Sequence, residues 1–333
     1  MCNYSFFIGI DVSKEVIDVS CRSKHGVIYL GQFNNTSAGF SKMLNALKRL
    51  TKEAQVKWFF CFENTGIYSK LLLDWLTSKA LTCIEENAMK LSRSLGFRRG
   101  KTDKIDSEDI CNYAYEKRDA LKPTKLPVEA IVRLKKLLNR RDFLVTKRSS
   151  IKVSVKEQKG FIDKQLFEEL KESNDKIIKI FNDEIKKLDS SIKELIKKDE
   201  QLSANEKLAR SVIGIGPIIS AYMIAITQNF TSFEDSRKFC CYSGIAPFPN
   251  SSGKRKGRSK VSNIANKKMK SLLSNSMATA ILHDPDIAKY YKRKIKEGKN
   301  PGVVVNAVKN KIVHRVFAVI KRKTPYVKLM AYA

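Results

Sequence analysis

Four carboxylates punctuate the first third of the sequence. Asp11 closes an apolar run from Phe6 to Val12, Glu63 follows another from Trp58 to Phe62, and Asp103 and Asp106 open a helix-like stretch. Hard divalent cations such as Mg²⁺ prefer carboxylate oxygen, and two of them about 4 Å apart can stabilise the attacking and leaving oxygens of a phosphoryl transfer. Asp103 and Asp106 are three apart on one helix and so share a face, on which Asp11 and Glu63 can converge from strand ends. The four are therefore candidate ligands for one or two Mg²⁺ ions; the plainer alternative is that they cap helices and pair with surface lysines. A second reactive group is Ser251-Ser252-Gly253. A serine hydroxyl is a poor nucleophile at neutral pH unless a base or metal activates it. From residue type alone this is a Ser-Gly turn, although its basic surroundings would suit attack on a phosphodiester.

The elements that must position these groups are legible in outline. Strand patterns run over Phe6–Val12, Val16–Cys21 and Val27–Phe33, followed by a helix over Ala38–Leu50, a strand over Trp58–Phe62, a helix over Ile67–Ser78 and a strand over Leu81–Glu85. Three strands in hairpin succession and then strand–helix alternation predict a mixed sheet with helices packed on it, the order of an RNase H-like fold. Lys90–Lys101, with Gly96 and Gly100, reads as a loop; Thr102 reads as the N-cap of a helix reaching about Lys117. Pro123 and Pro127 mark a linker. Beyond it, Ile178, Phe181, Ile185, Leu188, Ile192 and Leu195 recur at alternating spacings of three and four, a heptad seam. Two long helices breaking near Gly160 form either an antiparallel coiled coil or a helical hairpin packed on its own domain. The expected divisions are 1–125, 126–203 and 204–333.

Charge names the partner. Lys and Arg number 64 against 34 Asp and Glu, a net charge of +30 in 333 residues, which points to a polyanion. Within Arg237–His283 there is no acidic residue, while Lys254, Arg255, Lys256, Arg258, Lys260, Lys267, Lys268 and Lys270 crowd together. This stretch is expected on nucleic acid, against the alternative of a solvated lysine-rich face. In Ile213-Gly214-Ile215-Gly216-Pro217, Gly214 and Gly216 resemble a helix-hairpin-helix turn whose backbone N–H groups approach phosphate, or simply a tight connection. The seven cysteines show no C-x-x-C pair, so neither disulfides nor zinc are expected. No apolar run approaches the roughly 20 residues that span a bilayer, so a cytoplasmic location and no membrane partner are expected.

Several stretches together resemble one family. They are Gly9-Ile10-Asp11-Val12-Ser13-Lys14 with Asp18-Val19, Glu63-Asn64-Thr65-Gly66-Ile67-Tyr68, Lys101-Thr102-Asp103-Lys104-Ile105-Asp106, the Ile213–Pro217 turn, Tyr242-Ser243-Gly244-Ile245-Ala246-Pro247, Ser252-Gly253 and the basic run. In this order, across nearly the whole chain, they resemble the DEDD-type transposases of insertion-sequence family 110, to which the Piv DNA invertases are similar. The resemblance implies a RuvC-like N-terminal domain, a coiled-coil middle and a mainly α-helical C-terminal transposase domain. It assigns the tetrad to Asp11, Glu63, Asp103 and Asp106 and the nucleophile to Ser252, directly before Gly253, with Ser251 as its neighbour. It further implies Mg²⁺, donor and target DNA, a structured guide RNA from the element and a homo-oligomer whose active site is shared between protomers. Asn64 stands where the family more usually has serine, and Lys254-Arg255-Lys256 replaces its usual glycine-arginine pairing. Two other readings fit the same residues: a structure-selective nuclease in which the tetrad activates water, and a non-catalytic nucleic-acid-binding protein on a decayed scaffold.

Overall fold

A computed structural model describes residues 4–95, 102–124, 126–252 and 255–327. The chain divides into two compact units, Met1–Leu126 and Pro127–Ala333.

The first unit is a five-stranded mixed sheet with helices on both faces. Its elements are β1 (Phe6–Val12), β2 (Val16–Ser23), β3 (Gly26–Asn34), α1 (Ser37–Thr51), β4 (Trp58–Glu63), α2 (Ile67–Ser78), β5 (Cys83–Glu86), α3 (Ala88–Leu95) and α4 (Asp103–Glu116). Strand order is β3-β2-β1-β4-β5, antiparallel within β1–β2–β3 and parallel across β1–β4–β5. This mixed sheet is consistent with the RuvC-like fold. Apart from Asp11 and Glu63 near their ends, the central strands β1 and β4 carry no charged residue, because both faces are covered. Ile8, Ile10 and Val12 join Phe40, Met43, Leu47, Leu72 and Leu76 in one core, while Phe7, Phe59, Cys61 and Ile84 meet Ile110, Tyr113 and Ala114 of α4 in another.

Gly9 decides how close α4 comes. A Cβ at this position would lie 2.3 Å from both the Cys111 amide nitrogen and the Ser107 carbonyl oxygen, so only glycine lets the helix lie directly on β1. Beside it the buried Ser20 and Ser107 hydroxyls hydrogen-bond at 2.7 Å. Thr102 caps α4 through its side chain, which accepts from the Ile105 N–H, as its place in the sequence predicts.

Among the described residues the second unit is helical apart from one hairpin: α5 (Glu129–Gln158), α6 (Lys164–Lys198), α7 (Glu200–Arg210), α8 (Pro217–Thr227), α9 (Ser236–Tyr242), β6 (Pro247–Ser252), β7 (Arg255–Val261), α10 (Lys267–His283), α11 (Pro285–Lys296) and α12 (Pro301–Arg322). The α5–α6 turn contains Gly160 at φ +86. Arg141 donates to Asp189 at 2.5 Å and Arg148 to Asn182 at 2.7 Å, so the two helices run antiparallel. Ile131, Leu134 and Leu138 of α5 and Ile192 and Ile196 of α6 share a core with α8, α10 and α12.

Two local expectations are corrected. Lys90–Leu95 is helix rather than loop, because Leu91 buries its side chain while Lys90 reaches Glu86 at 2.6 Å; 96–101 fall outside the described residues. Ser251 and Ser252 end a strand rather than occupy a turn. That hairpin is hard to see in sequence because Pro247 and Pro249 interrupt its first strand and its second is mostly cationic.

Candidate metal centre and serine hairpin

Asp11, Asp103 and Asp106 come together: one carboxylate oxygen from each lies within 4.8 Å of the others. β1 supplies the first and the opening turn of α4 the other two, held by the approach over Gly9. Glu63 lies outside that set but close to it. The parallel register pairs Ile10 with Phe62, which puts Asp11 beside Glu63 on neighbouring strands. Glu63 adds to the negative field at Asp11.

The register also shows a row of carboxylates that sequence reading did not assemble. Asp18 pairs with Asp11 across β1–β2, and Glu86 pairs with Glu63 across β4–β5. Residues opposite one another in a ladder share a face, so Asp18, Asp11, Glu63 and Glu86 cross four strands side by side. The outer two are satisfied by protein donors. Asp18 accepts from the Tyr29 hydroxyl at 2.5 Å and Gln32 Nε2 at 3.1 Å. Glu86 accepts from Lys90 Nζ, the Tyr113 hydroxyl at 2.8 Å and the Asn87 N–H at 2.9 Å. Among the described residues no such donor or cation answers Asp11, Glu63 or Asp103. Asp18 carried only a motif signal in the sequence, and Glu86 none; strand register is what reveals them.

The electrostatics follow. Burial, then Asp106, Asp103, Asp18 and Glu63, raise the Asp11 pKa to about 6. A carboxyl group made reluctant to ionise by like charges is relieved by a divalent cation, which supplies the missing positive charge. The donor set is all oxygen, as Mg²⁺ requires. Asp11, Asp103 and Asp106 would hold it, with Glu63 next to them.

In the second unit Ser252 is exposed at the end of β6, paired in register with Arg255 of β7. Ser251 pairs with Lys256. The hairpin is anchored at its base: the Asn266 N–H donates to the Tyr242 carbonyl at 2.8 Å, and its Nδ2 to the Tyr242 hydroxyl at 2.9 Å. Of the basic residues, Lys260 and Lys267 are exposed and Lys270 is half-buried. Lys268 is tied internally, 2.5 Å from Asp142 and over the Tyr222 ring. Gly253 and Lys254 lie outside the described residues, as do the side chains of Arg255, Lys256 and Arg258.

Gly214 and Gly216 separate in role. Gly214 has φ +96, and a Cβ there would sit 2.5 Å from the Ser276 carbonyl oxygen of α10; at Gly216 a Cβ would meet nothing within 4 Å. Gly214→Ala is expected to cost about 2 kcal/mol in urea melts and Gly216→Ala less than about 0.5 kcal/mol. Equal effects would contradict this assignment.

A mixed sheet consistent with the RuvC-like fold, with a cluster of carboxylates from β1 and α4, in a chain of net charge +30, fits a protein that acts on nucleic acid. The comparisons narrow this. Residues 8–158 match the DEDD transposase model of the IS110 family, described as "Transposase", and residues 206–292 match "Transposase IS116/IS110/IS902 family". The chain belongs to the IS110 family of transposases. It is similar to the "Pilin gene-inverting protein" of Moraxella lacunata and to that of Moraxella bovis, each 26% identical over 97% of this chain and 98% of the relative. It is also 27% identical to the "Insertion element IS116 uncharacterized 44.8 kDa protein" of Streptomyces clavuligerus, over 35% of this chain and 28% of that one. No helix among the described residues is long and apolar enough to cross a membrane.

Proposed function

We propose that this protein is a DNA recombinase that cleaves and rejoins strands through a covalent phosphoserine on Ser252, with Mg²⁺ held by Asp11, Glu63, Asp103 and Asp106. The observation that carries the reading is the contrast within the carboxylate row. Asp18 and Glu86 are satisfied by the protein, whereas among the described residues no donor or cation answers Asp11 or Glu63, which suits them to a metal ion. Bound Mg²⁺ would polarise a scissile phosphodiester. Ser252, exposed at the strand end, attacks phosphorus: the Oγ–P bond forms, the bond to the 3′-oxygen breaks, and the serine proton leaves as the 3′-oxygen gains one. Attack by a 3′-hydroxyl of the exchanged strand reverses the step, so the phosphodiester energy is conserved and no nucleotide cofactor is needed. The gene-inverting relatives support rearrangement of DNA as the outcome, by insertion, excision or inversion.

Sequence choice falls to a structured RNA from the element that pairs with donor and target DNA, while the basic unit holds phosphates. This accords with a net charge of +30 and with other RNA-guided systems, where base pairing rather than side chains reads sequence. The protein works as a homo-oligomer. The α5–α6 hairpin supports this, since Val153, Phe161, Leu166 and Ile180 expose apolar surface, Phe161 at 88%.

The test is to incubate protein with Mg²⁺, the element's flanking transcript and labelled donor and target DNA, comparing wild type with Ser252→Ala. Loss of strand exchange in the variant, and in wild type without the transcript, is expected. Cleavage that survives Ser252→Ala would instead establish the water-activating nuclease.

A further inference from the structure

The second unit holds a cation that none of its described carboxylates answers. Lys309 on α12 is 6% exposed. Among the described residues no hydrogen bond or ion pair reaches its ammonium, and its charged neighbour is another cation, Lys270 of α10. Burial first, and Lys270 second, pull the amine below its ordinary pKa. Its Nζ is not among the enclosed, unpartnered polar atoms, so the buried stem carries the ammonium to the surface, where a cation lacking a counter-ion is open to an anion.

The surroundings add positive potential at the same place. α10 opens with Lys267, Lys268 and Lys270 and has no acidic residue in its first turn. That is the reverse of what the helix dipole favours at an N-terminus, where negative charge is stabilised. Lys268 is occupied by Asp142; Lys270 is not paired by any described carboxylate. Both helices are joined to the segment that leads into the serine hairpin. Asn310, next to Lys309, donates to the Ile245 carbonyl at 2.9 Å, and Asn266, the N-cap of α10, bonds Tyr242 twice.

We propose that Lys309, Lys270 and the N-terminal end of α10 form a subsite for one DNA backbone phosphate beside the segment that carries the Ser252 hairpin. A phosphodiester supplies the missing negative charge and accepts from both ammonium groups and from backbone N–H groups. This rests on the reading that DNA is the substrate at Ser252, which makes DNA rather than RNA the occupant. A lysine whose stem merely packs, with its tip in water, would give the same burial but no dependence of binding on its charge.

The experiment is fluorescence anisotropy of the full chain with a labelled DNA duplex, in metal-free buffer so that no cleavage intervenes, over a series of salt concentrations. Lys309→Met keeps the buried stem and removes the charge. It is expected to bind DNA several-fold more weakly, with the slope of log affinity against log salt reduced by about one, and to melt no lower than wild type. Unchanged affinity and slope in Lys309→Met would overturn the inference. So would a loss seen with single-stranded RNA but not with duplex DNA. If Lys309→Met does not fold, the slope measured for Lys270→Gln decides on the same terms. Failure of wild type itself to bind duplex DNA would overturn the functional reading as well, so the two failures are told apart.

Discussion

Asp11→Asn is expected to lower Mg²⁺-dependent DNA cleavage by about 10³-fold or more, the scale of losing a principal electrostatic contributor to a phosphoryl or acyl transfer site, while leaving the fold intact. Asp11 is the one residue that β1 contributes to the three-carboxylate cluster, and its neighbours on β2 and β4 are carboxylates too. The cost of gathering these charges is visible in its pKa, raised from 3.8 to about 6. The sign follows from proton linkage. Between these values the folded state binds the proton more tightly than the unfolded chain, so metal-free wild type should lose stability as pH rises from about 4 to about 6 and level off above. Asp11→Asn should lack that decline and, at pH 7.5 without metal, melt no lower than wild type. Adding Mg²⁺ at pH 7.5 should raise the wild-type melting temperature, with the gain fading as pH falls through 6 and the proton competes for Asp11. The variant should show little gain. Equal stabilisation of both proteins by Mg²⁺ would place the metal elsewhere.

Gly9→Val should be the most damaging single change in the first unit. It needs no chemistry at the site. A side chain at this position meets backbone atoms of Ser107 and Cys111 at 2.3 Å, and backbone cannot turn aside as a flexible side chain can. Either α4 lifts from β1, opening the Ser20–Ser107 hydrogen bond and carrying Asp103 and Asp106 away from Asp11, or the unit fails to fold. A cost of about 3 kcal/mol or more is expected in denaturant melts, with cleavage lost even where folded protein remains. Gly9→Ala should fall between, since one methyl demands a smaller shift. A variant that melts like wild type and retains Mg²⁺-dependent stabilisation would show that the close approach does not position the cluster.

The strands and helices around the carboxylates were readable because their signals are local. Apolar runs end in Asp11 and Glu63, and Thr102 caps the helix that begins at Asp103. Strand register was not readable. Pairing Asp11 with Asp18 and Glu63 with Glu86 depends on contacts between strands, and only there does it emerge that two carboxylates are satisfied by Tyr29, Gln32, Lys90 and Tyr113 while no described donor answers their neighbours. The serine hairpin was hidden for another reason: its residues carry neither β-branched alternation nor a two-residue turn signature. Lys309 gave no signal either, because α12 is rich in lysine and only packing tells a buried one from its solvated neighbours.

The central claim is that Ser252 becomes covalently joined to DNA. Its most direct measurement is mass spectrometry of peptides from wild-type protein quenched during reaction with Mg²⁺, transcript and a nicked donor that stalls rejoining. A phosphodiester-linked nucleotide on Ser252, absent in Asp11→Asn, is the predicted result. Cleaved DNA with no nucleotide on any serine, or a nucleotide on Ser251 instead, would contradict it.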